Sequence, residues 1–291
     1  MNIPSIRLVT MAVVLLLASL ASAEVQWPRM TESFDGVPIS FEVTGQGEPV
    51  LVFIHGWSCD ARYWRAQIPY FASAHKVVSI DLAGHGHSGL DRDDYTMAAF
   101  GQDVKAVLDD LDAGQAILIG HSMGGPVSVK ATELMPDRVI GIVGVDTFQD
   151  VGQAMSEEES EAWIRPLRED FRHGAGQFVP QMFIDATNAE LRDWVTADMS
   201  AAPPNVAISA MSNMLADMIS GRALSAFSAL DVPVVAINAD IWPTDVEGNQ
   251  EHQPRFEAVI MDNTDHFLHM AEPDAFNREL QAVITRLVES R

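Results

Sequence analysis

From residue 50 onward the chain alternates between short, solid apolar runs and longer stretches in which apolar residues return every three or four positions. The runs are Val50 to Ile54, Val77 to Ile80, Ala116 to Ile119, Val139 to Val145 and Val232 to Ile237, and Phe256 to Met261 reads as a last strand. Uninterrupted runs of this length are what strands buried on both faces look like in a parallel sheet. Between them, Met97, Phe100, Val104, Val107, Leu108 and Leu111 form one apolar helical stripe. Phe276, Leu280, Val283, Ile284 and Leu287 form another, behind a Pro273 pre-set for a first helical turn. Ahead of all these, Met30 to Val43 alternates around Asp35-Gly36, predicting a hairpin closed by a two-residue turn. Strands alternating with helices predict an α/β fold with a mainly parallel sheet of about eight strands, covered on both sides.

The alternation stops between residues 147 and 230, where acidic and helical patterns carry Met155, Met182, Met199, Met211, Met214 and Met218. This segment reads as a helical cap insertion whose flexible methionines suit an apolar ligand; residues 24–146 and 231–291 make the core domain around it. Residues 1–23 have the pattern of an export signal: Arg7, an apolar run from Leu8 to Leu20, and small residues at Ala21-Ser22-Ala23. That run is shorter than the roughly 20 residues of a spanning helix, so the expectation is a periplasmic or secreted protein without a stable membrane anchor.

Charge narrows the partners. Forty-one acidic against 18 basic residues give a formal net charge of −23, which argues against nucleic acid and anionic membrane surfaces. Cys59 is the single cysteine, so no internal disulfide forms, and with no base assigned to it Cys59 reads as an incidental thiol.

The most informative segment is Gly120-His121-Ser122-Met123-Gly124, a Gly-x-Ser-x-Gly directly after one buried run and before a helical stretch. The bare pattern arises by chance about 0.1 times in a chain of this length at ordinary Gly and Ser frequencies; the strand-turn-helix setting is what gives it weight. A strand reversing sharply into a helix crowds the residues two before and two after the bend, so Gly120 and Gly124 lack side chains and Ser122 is pushed out in a strained conformation. The helix that starts there turns its free N–H groups toward the hydroxyl, and the Met123 amide can donate to a developing oxyanion.

These residues resemble the α/β-hydrolase superfamily over most of the chain after residue 23. The resemblance implies that the Trp57 amide, in His55-Gly56-Trp57 after the first long run, is the second oxyanion donor. It also implies that Asp81 to Ser88 is the loop after the next strand, its His85 and His87 structural rather than metal-ligating. Triads of this fold run Ser, acid, His, which makes His266, in the loop after the last strand, the general base, with His269 the alternative. The acid stays open. Trp242 fills the position expected when counting from Pro233, leaving Asp240 two residues earlier, or Asp146 at the end of Val139 to Val145, the acid position of some cap-bearing relatives such as haloalkane dehalogenases; Asp245 is a third carboxylate nearby. Only one of them is the triad acid.

The implied chemistry is hydrolysis of a small carboxylic ester through an acyl-enzyme on Ser122, needing no metal or organic cofactor and only a small-molecule acyl substrate as partner. Serine at the elbow argues against epoxide-hydrolase and dehalogenase chemistry, which in relatives uses aspartate there. Lactone opening, C–C hydrolysis, perhydrolysis, or a receptor of this fold with little turnover would use the same residues.

Overall fold

A computed structural model of the chain describes residues 28–289; the expected export signal lies outside the described residues. In chain order the elements of the first half are β1 (Arg29–Glu32), β2 (Pro38–Thr44), β3 (Val50–Ile54), α1 (Gln67–Phe71), β4 (Val77–Ile80), α2 (Met97–Asp110), β5 (Ala116–His121), α3 (Gly124–Leu134) and β6 (Val139–Val145). A helical region follows, with α4 (Glu157–Glu169), α5 (Phe171–Phe178), α6 (Ala189–Met199), α7 (Pro204–Ile219) and α8 (Arg222–Ser228). The chain then returns through β7 (Val234–Ala239), α9 (Val246–His252), β8 (Phe256–Met261), α10 (Leu268–Ala271) and α11 (Pro273–Glu289). No helix among the described residues is long and apolar enough to cross a membrane.

The eight strands form one sheet in the order β1-β2-β4-β3-β5-β6-β7-β8. Strand β2 runs antiparallel to both neighbours and every other pair from β4 to β8 is parallel. Successive side chains of a strand point to opposite faces, and β3 shows the consequence. Val50, Val52 and Ile54 join a core with α2, α3 and the helical region, whereas Leu51 and Phe53 join one with Trp64, α1 and α11. Each such side chain is fully buried and contributes roughly 1.5–3 kcal/mol relative to exposure. That two-sided burial is why the runs lack polar alternation.

Two expectations are corrected in detail. The connection between β1 and β2 is five residues, Ser33 to Val37, not two: Gly36 alone takes positive φ (82°), and Ser33 N–H donates to Val37 O at 2.9 Å. A two-residue turn of that type needs positive φ at both central positions, which Asp35 does not adopt. The run Val232 to Ile237 enters the sheet two residues late and continues through Asn238 and Ala239, because Pro233 has no N–H for the ladder and Asn238, wholly buried, accepts from Thr147 N–H at 3.1 Å.

The hairpin, the loop after β4 and α2 are joined by a buried ion network. Arg92 bridges Asp35 and Asp103, and Asp103 also accepts from Ser33 Oγ and Ala83 N–H. Burial pushes the Asp103 carboxyl up against the opposing pull of Arg92. The helical region packs over the carboxyl edge of the sheet as a cap. Its first helix opens on a capping box, Ser156 Oγ accepting from Glu159 N–H while the Glu159 carboxylate accepts from Ser156 N–H. Trp57 Nε1–H donates to Ala207 O in α7 at 2.7 Å, one of the bonds that fasten cap to core.

Candidate active site

The bend between β5 and α3 places Ser122 at φ 51°, a conformation uncommon for any residue with a side chain. Sterics explain the flanking glycines. A Cβ on Gly120 would lie 2.1 Å from Gly124 O, and one on Gly124 would lie 2.5 Å from Ile54 O in β3. The loop after β3 closes on the same point, since a Cβ on Gly56 would meet Ser122 Cβ at 3.2 Å. Trp57 and Met123 thus flank Ser122, and neither backbone N–H donates to a backbone carbonyl among the described residues. Buried His55 stiffens this loop: its Nδ1–H donates to Gly56 O at 2.8 Å and its Nε2 accepts from Leu82 N–H at 3.0 Å, while burial holds its pKa below the usual imidazole value. Cys59 is buried in the same loop, donates to Trp57 O at 3.3 Å, and burial pushes its thiol well up, as suits an incidental cysteine.

The carboxyl ends of β6 and β8 bring the other two groups together across β7. His266 Nδ1–H donates to Asp146 Oδ2 at 2.5 Å, and Asp146 Oδ1 accepts from Ala239 N–H at 2.9 Å. Asp146 is 2% exposed and takes φ 45°, so this carboxylate is aimed by an unusual backbone as well as by two bonds. Asp240 is not within that pair. Its exposed carboxylate accepts from Asn263 N–H at 2.9 Å and Thr264 N–H at 3.2 Å, shaping the turn that leads to His266. Those two bonds lower the Asp240 pKa. Asp245 caps α9 through Gly248 N–H. His269 is wholly buried against Trp64, 4.5 Å between ring centres, with neither ring nitrogen partnered among the described residues, and burial holds its pKa down to about 3. It packs among Trp64, His121 and Phe276.

Ser122, Met123, Asp146 and His266 line one cavity of 460 Å³. Met97, Val129, Phe148 and Phe227 continue its wall, and the cap supplies Met155, Met214 and Met218. Of the other cap methionines, Met182, Met199 and Met211 are buried in packing. A separate 540 Å³ cavity bordered by Arg65, His87 and Trp194 contains none of the triad-like groups. Among the described residues no cluster of three or more His, Cys, Asp or Glu could hold a metal ion.

Three residues of the site escaped the sequence reading. Trp242, where an acid was sought, packs its ring edge on His266 at 5.4 Å and lines the cavity mouth. Phe148, at φ 61°, lies in the chain just beyond Asp146 and walls the cavity. His121 sits beneath the elbow, its Nε2–H donating to His266 O at 2.8 Å. His121 had a visible signal, its place inside the elbow motif, and Trp242 another, its place where the acid was expected.

A model of the alpha/beta hydrolase family matches residues 51–279. An acetyltransferase component of an acetoin cleaving system from Pseudomonas putida is 40% identical over 104 residues, 35% of this chain and 28% of its own, so the chain spans less than a third of that relative's length. A pimeloyl-[acyl-carrier protein] methyl ester esterase from Aeromonas hydrophila is 24% identical over 250 residues, 82% of this chain and 96% of that protein. The solved structure of a thermophilic esterase from Thermogutta terrifontis superposes with a TM-score of 0.77 at 23% identity, covering 90% of this chain and 99% of that one. The elbow, the strand order and a family match over residues 51–279 agree that this chain belongs to the alpha/beta hydrolase family.

Proposed function

We propose that the protein is a serine hydrolase that cleaves a small carboxylic ester through an acyl-enzyme, with Ser122 the nucleophile, His266 the base and Asp146 the acid. The observation that carries this reading is the 2.5 Å bond from His266 Nδ1–H to a buried Asp146, at the wall of the cavity onto which Ser122 opens. With Nδ1 occupied by the carboxylate, Nε2 is the nitrogen left to take the Ser122 proton as the oxygen attacks the substrate carbonyl. Negative charge then develops on the carbonyl oxygen beside the Trp57 and Met123 amides and the N-terminus of α3. The imidazolium returns its proton to the departing alcohol. Water repeats the sequence on the acyl-enzyme, and the carboxylic acid leaves. The Asp146 carboxylate fixes the imidazole's tautomer and stabilises its charged form.

Similarity to a methyl ester esterase over 82% of this chain supports this choice among the chemistries the apparatus allows. The test is steady release of p-nitrophenol from p-nitrophenyl acetate and butyrate by the purified protein, compared with Ser122→Ala. Sustained turnover abolished by that substitution is expected. A single stoichiometric burst would instead favour a receptor, and equal rates for both proteins would end the proposal.

A further inference from the structure

His121 precedes Ser122, so its ring leaves β5 on the other side of the sheet edge. It lies 1% exposed among Trp64, Phe267 and His269, with ring centres 6.4, 5.3 and 4.6 Å away. Among the described residues its ring makes one hydrogen bond, from Nε2–H to the carbonyl oxygen of His266 at 2.8 Å, and the two imidazoles stand 4.7 Å apart. Donation fixes the tautomer: Nε2 carries the proton and Nδ1 keeps a lone pair, unpartnered among the described residues. The N–H of the same His266 donates to Met182 O in the cap at 3.1 Å. Both polar groups of the His266 backbone are therefore held, one by the cap and one by a side chain of the elbow.

We infer that His121 is a positioning residue, the fixed half of a clamp on the His266 backbone that aims the imidazole at Ser122. This rests on His266 being the base. The clamp's logic is geometric. Carbonyl oxygen and Cα of residue 266 belong to one nearly rigid peptide plane, so a bond to the oxygen restrains the direction in which the side chain leaves. Nucleophile and clamp are adjacent residues, which keeps the distance from Ser122 to the base independent of cap movements that could disturb the Met182 contact. The groups facing His121 are His266, His269 and, further off, His55; burial first, then the charges of His269 and His266, keep its pKa well below the imidazole norm, so it donates as a neutral ring throughout the working range.

The test compares His121→Leu, which removes the donor, with His121→Gln, whose side-chain amide N–H reaches a similar point. On p-nitrophenyl butyrate, at a temperature well below each variant's melting point, the Leu variant is expected to lose about 10- to 100-fold in kcat with KM changed less than about twofold, since a displacement near 1 Å costs about that much. The Gln variant should recover most of the loss. Unchanged kcat in the Leu variant, or a Gln variant as slow as the Leu one, overturns the inference. Should the Leu variant not fold, the nitrogen shifts of 15N-histidine-labelled wild type decide: a neutral His121 protonated at Nε2 is expected, and one protonated at Nδ1 overturns it. A wild type without turnover, equal to Ser122→Ala, would instead remove the base assignment itself.

Discussion

Core and cap do different work. The core sheet brings every proposed catalytic side chain from a strand's carboxyl end: Ser122 after β5, Asp146 after β6, His266 after β8. The cap contributes no member of that set. It contributes wall, through Met155, Met214 and Met218, and fastening, through Met182 O to His266 N–H and the Thr187 hydroxyl, which donates to buried Asp265 beside the base. The contrast implies that chemistry resides in the sheet layer and selectivity in the helical one. Changes in the core should depress turnover of every substrate alike, and changes in the cap should reorder substrates.

The largest effect expected from this division is that of Ser122→Ala, a loss of at least about 10⁴-fold in kcat on every ester tried. Its melting temperature should stay within about 2 °C, because among the described residues the hydroxyl makes no hydrogen bond that holds the fold. Next comes the pair of acids. Asp146→Asn should lower kcat by about 10⁴-fold by favouring the wrong imidazole tautomer, whereas Asp240→Asn keeps an oxygen for one of the two N–H groups of Asn263 and Thr264, touches neither Ser122 nor His266, and should cost less than tenfold. Equal losses in the two would mean that the 2.5 Å contact is not the working one.

A cap substitution should break the pattern in the opposite sense. Met214→Trp narrows the cavity, so kcat/KM on p-nitrophenyl octanoate should drop about 10- to 100-fold while the acetate ester changes less than about threefold, in line with what one or two lost methylene sites are worth. A uniform drop across acyl lengths would place Met214 in the machinery of the core instead of in a selectivity wall.

How much of this could be read beforehand follows the same division. Buried parallel strands announce themselves because both faces are covered, and β3, β4, β6 and β8 begin and end where their apolar runs do. The elbow was legible because its glycines answer to contacts of 2.1 and 2.5 Å that no side chain survives. The acid was not, since choosing Asp146 over Asp240 requires knowing that β6 and β8 flank β7, and no local pattern states which strands are neighbours. Likewise Met211, Met214 and Met218 recur at helical spacing, and only packing separates Met214 in the cavity from Met211 three residues earlier in the core.

The smallest effect concerns stability and again separates the layers. His55, His85, His121 and His269 are all buried in the core, and the cap's single histidine, His173, is exposed. Burial holds His85 and His269 down to about 3, against 6.5 for an imidazole in water. Between those values the unfolded chain binds protons that the folded chain refuses, so stability must fall as pH drops from about 6.5 toward 3, by up to about 1.4 kcal/mol per pH unit for each such group. The buried Asp103 and Asp265 carboxyls, both raised, push the other way at the acid end of that window, as the folded chain takes up their protons first. Urea unfolding at pH 7, 6 and 5 should show the midpoint declining, and His269→Leu should flatten the slope, because both ring nitrogens it removes lack partners among the described residues. An unaltered slope would mean that His269 accepts a proton in the folded protein, and that acid weakens the core by some other route.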